Sequence, residues 1–500
     1  MNKPRKVVQC SAFLVATLLQ TIAVFAQAPG EGPAAQPGRE LQQAAQAPIQ
    51  APPAAEPPTA PPTPMTTPVS PSVQEKPLAT TPTEHLSTGV SSKFAAELYG
   101  FVEFDAIHDS TQSFNDLAGN TAIARGNYAA SHQRTIFGAR NSRIGFKLKG
   151  PDSEWVKSSA VLEMDFLGNQ PSPVSEAGFV TSPTFRIRHM ALKLDTPYIN
   201  VLIGQYWQLF GWQSNYHPNT VEIQGVPGQI YSRSPQIRLS HTIKTEDVSI
   251  EVAVAAVRPP QRDSSTPDGE AGLRLLLNGW KGLHTAGGAG TAIDAASIGV
   301  SGIYRRFEVT EWVGTPVSAN TKNGSGISVD ALIPVIPATP TDRGNSLTLN
   351  GSFVRGTGIS DLYTSLTGGV GFPKLAAPAG GGTAPTYTPN IDNGMVTYDS
   401  SGQLHTIDWL SYMVGIQYYL PPSGDVWLSA NFSSMKSNNI GLYGSANSLV
   451  NKSLWADGNL FWDVNKAVRL GAEFAWFRQT YVDGVKAHNY RSQFSAYYIF

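Results

Sequence analysis

Segments in which polar and apolar residues alternate recur along most of this sequence. In one of them Val248, Ile250 and Val252 share one face. Ser249 and Glu251 lie on the other. Because successive side chains of a β-strand point to opposite faces, this pattern predicts strands with one apolar and one polar face. Many such segments of roughly 10–14 residues, separated by turn residues, are typical of an antiparallel all-β protein.

The connections between these segments alternate in length. Long connections, such as residues 168–183 and 356–402, alternate with tight ones such as 195–198 and 421–424. Outer-membrane β-barrels have long loops outside and short turns in the periplasm. The alternation therefore predicts a transmembrane antiparallel β-barrel of about 16 strands, with both termini on the periplasmic side. The strand count is weakest over residues 271–296, where a Gly-rich stretch blurs a strand boundary and an error of two strands is open.

The N-terminal residues predict export. A basic start and a short apolar stretch precede Val24-Phe25-Ala26, a sequence that suits signal peptidase, so we expect a signal peptide over residues 1–26. Residues 27–92 are rich in Pro, Ala, Thr and Gln, and this composition predicts a disordered periplasmic segment. The barrel domain is then residues 93–500. Cys10 is the only cysteine and lies in the signal peptide, so neither a disulfide nor a thiolate metal site is expected in the mature chain.

Charge and motifs exclude several classes of function. The chain has 36 Lys and Arg against 37 Asp and Glu, a balance that argues against a nucleic-acid partner. No apolar run after the signal is long enough for a transmembrane helix. No catalytic, phosphate-binding or metal-binding motif is recognisable, so neither an enzyme nor a cofactor is expected. The alternatives are a soluble secreted β-protein, a surface adhesin or a rim-site hydrolase. A hydrolase would draw on His217, His405, His488, Asp105 or Asp408.

The segment after the fifth predicted strand, residues 201–212, is the candidate constriction. It is long, polar and rich in Gly and Pro, and we expect residues 212–232 to fold inward and narrow a water-filled lumen. Fixed charges on the lumen wall then set the selectivity. The candidate pore-lining residues are Arg143, Arg186, Arg188, Arg233 and Arg238, with Glu163, Asp165 and Glu222 facing them and Arg134 and Arg140 as further candidates.

Two alternatives stay open for these charges. They either form a selective field or merely solvate the wall and pair with each other. Arg186 and Arg188 share strand parity with Met190 and Leu192, so an inward orientation requires a β-bulge or an apolar lower lumen. Guanidinium groups in a row pair with carboxylate or phosphate groups, and we therefore expect anions to be modestly favoured.

Several stretches resemble the DcaP-like outer-membrane porins. They are Glu97–Ala106, Asn141–Phe146, Gly204–Gly211, Val221–Gly225 and Arg233–Arg238. The resemblance implies a homotrimer of roughly 16-stranded barrels that transports ions and small hydrophilic, often anionic, solutes by passive diffusion. Its surroundings would be outer-membrane lipid and lipopolysaccharide. The family often carries a helical or coiled-coil extension where this chain has a Pro-rich segment, so we expect any trimer to be held by its barrel walls.

Aromatic residues near the predicted strand ends are typical of the two interfacial girdles of a membrane barrel. Aromatic residues are common in any strand, so they support the barrel only weakly. These residues are Trp155, Tyr198, Trp409, Tyr418, Tyr419, Trp427, Trp462, Trp476 and Tyr498.

The last predicted strand alternates up to the final residue. Phe494, Ala496, Tyr498 and Phe500 share its apolar face, and Arg491 lies on the polar face. To close a barrel this strand must pair with the first one. Phe500, together with Tyr498, is expected to form the assembly signal that the outer-membrane insertion machinery recognises.

Deleting Phe500 should therefore lower the yield of inserted protein far more than it changes the conductance of pores that do form. The measurements are heat-modifiable mobility in outer-membrane fractions and single-channel conductance in planar bilayers. Phe474→Ala, which removes an aromatic from the same apolar face of another strand, is the control and should leave the yield largely unchanged. A normal yield without Phe500 would contradict this role.

Overall fold

The computed structural model describes residues 94–500 except 120, 152, 169–182, 223–224, 288, 314, 365–390, 393, 400 and 444–448. The predicted signal peptide and Pro-rich segment lie outside the described residues, as do most of the long connection 168–183 and much of 356–402. Among the residues described, no helix combines the length and the apolar character needed to cross a membrane.

The described residues form nineteen β-strands, one short α-helix and two 3-10 turns. The helix is α1 (Tyr128–Ser131), and the 3-10 turns are Ser360–Leu362 and Ile440–Leu442. The strands are β1 (Ala95–Asp109), β2 (Arg134–Gly138), β3 (Arg143–Lys149), β4 (Lys157–Asp165), β5 (Arg186–Asp195), β6 (Asn200–Trp207), β7 (Arg233–Lys244), β8 (Val248–Val257), β9 (Asp268–Thr285), β10 (Thr291–Thr310), β11 (Ala319–Ile336), β12 (Ser346–Thr357), β13 (Val396–Tyr398), β14 (Leu404–Thr406), β15 (Asp408–Tyr419), β16 (Val426–Lys436), β17 (Val450–Asp463), β18 (Val468–Tyr481) and β19 (Lys486–Ile499).

The strands close into an antiparallel barrel with sixteen strand positions, which confirms the predicted fold. β2 and β3 both pair with β1 and together occupy one of these positions. β13 and β14 pair only with each other, in the connection after β12. The ring closes where β1 pairs with β19, from Phe101 opposite Ile499 to Asp109 opposite Arg491. Closure pairs the backbone groups that an open sheet edge would expose.

The C-terminal residue takes part in this closure. The backbone N–H of Phe500 donates to the carbonyl of Gly100 at 3.1 Å, and Gly100 donates back at 3.0 Å. Tyr498 lies opposite Val102 on the outer wall and is 57% exposed. The final strand is therefore paired to its last residue, as a closing strand must be.

The region where the strand count was weakest holds two long strands. β10 has 20 residues, the most of any described strand, and β9 has 18, as many as β11. The pairing shifts between Ala295, opposite Lys281, and Ala296, opposite Leu277. Three extra residues on β9, 278–280, form a bulge that bends the hairpin. Beyond the bulge, β9 ends at Thr285 and β10 begins at Thr291.

The outer wall of the barrel is apolar. Large apolar side chains alternate along the strands with their faces to the outside, for example Val254 on β8 and Phe474 on β18, which are 53% and 57% exposed. Their neighbours along the strands face inward and are mostly polar, as Ser495 and Gln493 are on β19. An apolar exterior around a polar interior is the arrangement of a barrel that spans a lipid bilayer.

The prediction of the aromatic girdles was wrong for three of its residues. Trp409, Tyr419 and Trp427 face the lumen and are almost completely buried. The rings of Trp427 and Phe461 stack with centroids 4.0 Å apart. Strand parity decides the side on which each aromatic lies, and nearness to a strand end carries no information on parity. Of the residues predicted for the girdles, Trp155, Tyr198 and Tyr498 are more than half exposed, and Trp462 is 50% exposed.

The interior of the barrel is filled from the end opposite the termini. A large apolar cluster joins side chains of four connections, including Phe114 after β1, Phe210 after β6, Leu362 after β12 and Ile440 after β16. They pack against inward side chains of the wall such as Trp455 and Phe477. These connections fold into the barrel because their apolar side chains lose contact with water there.

Replacing Val254 by Arg should destabilise the inserted barrel by about 2–4 kcal/mol, because the guanidinium would face hydrocarbon near the middle of the bilayer. The measurement is urea-induced unfolding in lipid vesicles. Val485→Arg is the matched control, since Val485 is 47% exposed in a connection between strands at the barrel end. Equal costs at both positions would show that the wall around Val254 does not face lipid.

Candidate functional site

The connection between β6 and β7, residues 208–222 and 225–232, crosses the lumen, and we name it the constriction loop. Its first residues are fixed to β9 and β10. The Glu270 carboxylate accepts hydrogen bonds from the backbone N–H groups of Leu209 and Phe210, at 2.8 and 3.0 Å. The N–H of Gly211 donates to Ser301 Oγ at 2.7 Å. These bonds direct the chain away from the wall at the end of the fifth barrel strand.

The loop turns inward through left-handed backbone. Gly211, Trp212 and Ser214 have φ values of 79°, 41° and 74°. Such values are strained for the two non-glycine residues, so contacts must hold them. The indole of Trp212 donates to the carbonyl of Val300 at 3.1 Å. It also lies in a slot over Gly299, where an added Cβ would come within 2.7 Å of the ring.

The middle of the loop is bound to the opposite part of the wall. The backbone N–H of Val221 donates to Asn459 on β17 at 3.0 Å. The Glu222 carboxylate accepts from Arg491 on β19 at 3.0 Å and from the backbone N–H of Ala118 at 2.8 Å. Arg491 also holds Asp109 with two hydrogen bonds of 2.9 Å. The constriction loop is therefore attached at both sides of the lumen.

Four arginines gather on the wall formed by β3, β4, β5 and the start of β7, and we name Arg143, Arg186, Arg188 and Arg233 the arginine cluster. Two carboxylates lie among them. Asp165 accepts two hydrogen bonds from Arg186, at 2.9 and 2.6 Å, and one from Arg188 at 3.2 Å.

The second carboxylate of the cluster is Glu163. Glu163 accepts from Arg188 at 2.7 Å, and Arg143 Nε lies 3.7 Å from the same oxygen. Three of the four guanidinium groups thus pair with the two carboxylates, and Arg233 forms no ion pair with either. Among the described residues the cluster therefore holds four positive and two negative groups.

A β-bulge places Arg186 and Arg188 in the lumen together. On β4, Glu163 pairs with His189 and Met164 pairs with Ile187, so Arg188 is the extra residue. Above the bulge the arginines face inward, and below it the apolar side chains of the strand face outward. This is the bulge that the sequence pattern required for an inward arginine pair.

Aromatic rings hold two guanidinium groups of the cluster. Arg188 donates to the Tyr231 hydroxyl at 3.3 Å. The Arg233 guanidinium carbon lies 4.9 Å from the centroid of the Trp207 ring and 5.4 Å from that of Tyr231. Cation–π contacts of this kind orient a guanidinium group without neutralising its charge.

Some donors of the cluster make no hydrogen bond to the residues that the structure describes. They are Nε and Nη2 of Arg143 and Nη1 of Arg233, and all three atoms are buried. Buried donors are normally satisfied, and an unsatisfied one costs about 1–3 kcal/mol. Arg143 itself lines the cavity described next, so its guanidinium group lies at the edge of the lumen although these donor atoms are covered.

A cavity of about 310 Å³ lies between the arginine cluster, the constriction loop and the β9–β10 turn. It reaches the seam between β1 and β19. Its lining combines charge, aromatic rings and exposed backbone, which suits small polar solutes. The lining residues are Tyr99, Gly100, Phe101, Arg143, Glu163, Arg188, His189, Trp207, Ser214, His217, Ala286, Gly287, Ala289, Gly290, Ile499 and Phe500.

We expected Glu163, Asp165 and Glu222 to face the arginines, and the structure corrects this for the first two. Glu163 and Asp165 lie on the same wall as the arginines, because β4 and β5 are adjacent strands. Glu222 lies across the lumen, where Arg491 pairs with it. Arg238 lies outside the arginine cluster and donates to Gln236 and to the carbonyl of Trp207.

The two further candidates also lie apart from the cluster. Arg140 is buried and pairs with Asp116 at 2.7 Å, which fixes the connection after β1. Arg134 lies opposite Asp109 in the ladder between β1 and β2. Glu270 fixes the start of the constriction loop but was not among the residues predicted from the sequence. The sequence shows it only as an acidic residue on a strand whose alternation is weak.

The residues proposed for a rim hydrolase do not form a nucleophile–base pair among the described residues. His405 Nε2 lies 2.8 Å from Asp399, but Ser401 donates to Asp399 rather than to the histidine. Hydrogen bonds from Ser401, the backbone of Gln403 and His405 hold the pKa of Asp399 well below its usual range. A serine nucleophile needs a base within hydrogen-bond reach, which this arrangement does not supply.

Comparison with solved structures finds barrels of the same kind. The outer membrane channel DcaP of Acinetobacter baumannii matches at 17% identity and a TM-score of 0.58, over 81% of this chain and 97% of that one. OprB of Pseudomonas putida matches at 10% identity and 0.47, over 81% and 94%. The anion-selective porin of Comamonas acidovorans matches at 12% and 0.45, over 81% and 100%. Models of protein families and curated proteins give no match. The likeness to DcaP shows a shared fold.

Replacing Arg491 by Met should destabilise the protein by about 3–5 kcal/mol, because two buried carboxylates, Asp109 and Glu222, lose their shared partner. The constriction loop should then be held less firmly, and single-channel currents should become noisier. Urea unfolding and bilayer recordings measure the two effects. Arg355→Met removes an exposed arginine near the end of β12 and should change neither. Quiet, wild-type currents from Arg491→Met would show that this ion pair does not hold the loop.

Proposed function

We propose that this chain, which has a DcaP-like porin fold, is an outer-membrane porin through which small hydrophilic solutes and ions diffuse passively. The observation that carries the proposal is the polar cavity beside the arginine cluster, in a lumen that the constriction loop narrows. A wall with an apolar outside and a polar inside supports the location in the membrane. The pore performs no covalent chemistry and uses no cofactor.

We propose further that anions are favoured. The arginine cluster holds four guanidinium groups and two carboxylates, and Arg143 has two donors without a hydrogen bond to described residues. The guanidinium groups of Arg143 and Arg188 line the cavity, and planar groups of this kind match the two oxygens of a carboxylate. Between groups in partly buried surroundings, one unit charge attracts another at 4 Å by about 4 kcal/mol, so a small surplus biases the flux.

The assembly of the porin also remains a proposal. After removal of residues 1–26, residues 27–92 would lie in the periplasm before the barrel. We infer a homotrimer held by barrel walls, surrounded by outer-membrane lipid and lipopolysaccharide and inserted by the outer-membrane assembly machinery. The resemblance of the sequence stretches supports this. Unheated electrophoresis of the detergent-extracted protein, with and without cross-linker, distinguishes a trimer from a monomer.

The double variant Arg186→Ala/Arg188→Ala should move the reversal potential in a salt gradient toward cation preference. Both arginines pair with Asp165 or Glu163, so their removal leaves these two carboxylates in the lumen with fewer positive partners. Planar bilayers with a tenfold KCl gradient measure the shift. Arg306→Ala, which removes a side chain 47% exposed, is the control. Unchanged selectivity in the double variant would refute the role of the pair.

The same preparations test the pore itself. Liposome swelling with neutral, anionic and cationic solutes of matched size should proceed in the order anion, neutral, cation. Liposomes that do not swell with any solute, from protein that shows heat-modifiable mobility, would contradict the porin and leave the adhesin as the alternative.

A further inference from the structure

We propose that the tip of the β9–β10 hairpin, residues 281–287 and 289–295, is a built-in plug that enters the lumen from the periplasmic end. With the constriction loop it confines the passage to the side of the arginine cluster. Periplasmic turns of such barrels are ordinarily short and stay at the rim. This inference deepens the proposed function and rests on the chain being a pore.

The hairpin bends inward at its bulge. Beyond residues 278–280 the hairpin no longer pairs with its neighbours in the barrel. The pairing of β9 with β8 ends at Leu277, and the pairing of β10 with β11 ends at Ser297. Contacts at the rim fix the bend. The indole of Trp280 donates to the carbonyl of Pro334 at 2.6 Å, and the N–H of Ala338 donates to the carbonyl of Lys281 at 3.0 Å.

Inward side chains of β12 and β15 then bind the tip. Thr348 Oγ1 donates to the carbonyl of Leu283 at 2.7 Å. The side chain of Gln417 makes two hydrogen bonds with the backbone of Thr285, accepting at 2.9 Å and donating at 2.8 Å. The Tyr419 hydroxyl lies 2.8 Å from Thr285 Oγ1. Each such bond contributes about 1 kcal/mol, and together they hold the tip inside the lumen.

The tip reaches the far wall. Ala289 packs against Phe101 on β1 and Tyr497 on β19. Around the sixteen strand positions of the barrel, β9 and β10 lie diametrically opposite β1 and β19. Arg469 on β18 also donates to Thr291 Oγ1 at 3.4 Å. The tip therefore spans the width of the lumen and divides it.

The tip and the constriction loop meet inside the barrel. The N–H of Gly287 donates to the carbonyl of Pro218 at 3.1 Å, and His284 Nε2 lies 3.2 Å from the carbonyl of His217. On one side of the tip, a buried apolar cluster seals the gap to the wall, with Leu283 against Val221 and their neighbours. On the other side lies the cavity beside the arginine cluster. Among the described residues, the cavity beside the arginine cluster is therefore the route that we assign to the solute.

The decisive experiment shortens the hairpin. Replacing residues 278–295 by an Asp-Gly turn joins Leu277 to Ala296, two residues that already face each other in the ladder. Single-channel conductance should rise by about two-fold or more, because the lumen of a sixteen-stranded barrel is open unless something fills it. Larger neutral solutes should also enter liposomes. The matched control replaces residues 150–158 by Asn-Gly, joining the paired Lys149 and Ser159 at the same rim.

A cysteine variant keeps the test valid should the shortened protein fail to insert. Ala289→Cys places a thiol at the cavity, and the only native cysteine, Cys10, lies in the predicted signal peptide. A bulky methanethiosulfonate reagent should cut the current of Ala289→Cys pores several-fold. Val485→Cys, at the other end of the barrel, should conduct as before after the same treatment.

The outcomes separate this proposal from the porin itself. A conducting wild type with an unchanged shortened variant and no block at Ala289→Cys would overturn the plug and leave the porin standing. A silent wild type beside a conducting shortened variant would support the plug and overturn passive diffusion through the intact chain. Larger conductance in both the shortened variant and the rim control would overturn the plug, because the effect would then belong to any trimmed turn.

Discussion

The closed ladder of backbone hydrogen bonds is the constraint on which everything else in this structure depends. In hydrocarbon an unpaired N–H or C=O costs several kcal/mol, so the sheet must have no edge. The pairing of β1 with β19 meets this requirement and extends to the backbone of Phe500. Because the barrel closes with sixteen strand positions, its lumen is too wide for the side chains of the wall alone to fill. What occupies that lumen then decides what passes.

Two elements cross the lumen from opposite ends. The constriction loop is fixed by Glu270 at its start and by Arg491 in its middle, and the hairpin tip is fixed by Gln417. Glu270 and Gln417 hold the backbone of these elements and Arg491 holds the Glu222 carboxylate, so the wall residues that hold them are polar residues of the lumen face. The cavity between them lies beside the arginine cluster. The charge selectivity and the size exclusion that we propose would therefore arise at the same place from different parts of the chain.

The arginine cluster keeps its charge although it is largely buried. Two carboxylates, Glu163 and Asp165, pair with the guanidinium groups, and Trp207 and Tyr231 pack against their faces. Unpaired guanidinium groups would repel one another, whereas a fully neutralised set would exert no field. Among the described residues, the intermediate arrangement places four guanidinium groups and two carboxylates beside the cavity.

The sequence by itself determined the all-β fold, a strand number of 16 to within two, the position of the inward loop and the residue types of the cluster, because these follow from local alternation and connection length. Only the tertiary structure decided which side chains meet. Arg491 and Glu222 are separated by 269 residues and become partners only when the loop crosses the lumen. The bulge at Arg188 reverses parity within one strand, and the lumen position of Trp427 depends on parity of the same kind. The inward bend of the β9–β10 hairpin had only a Gly-rich stretch as its signal, since its partners lie on distant strands.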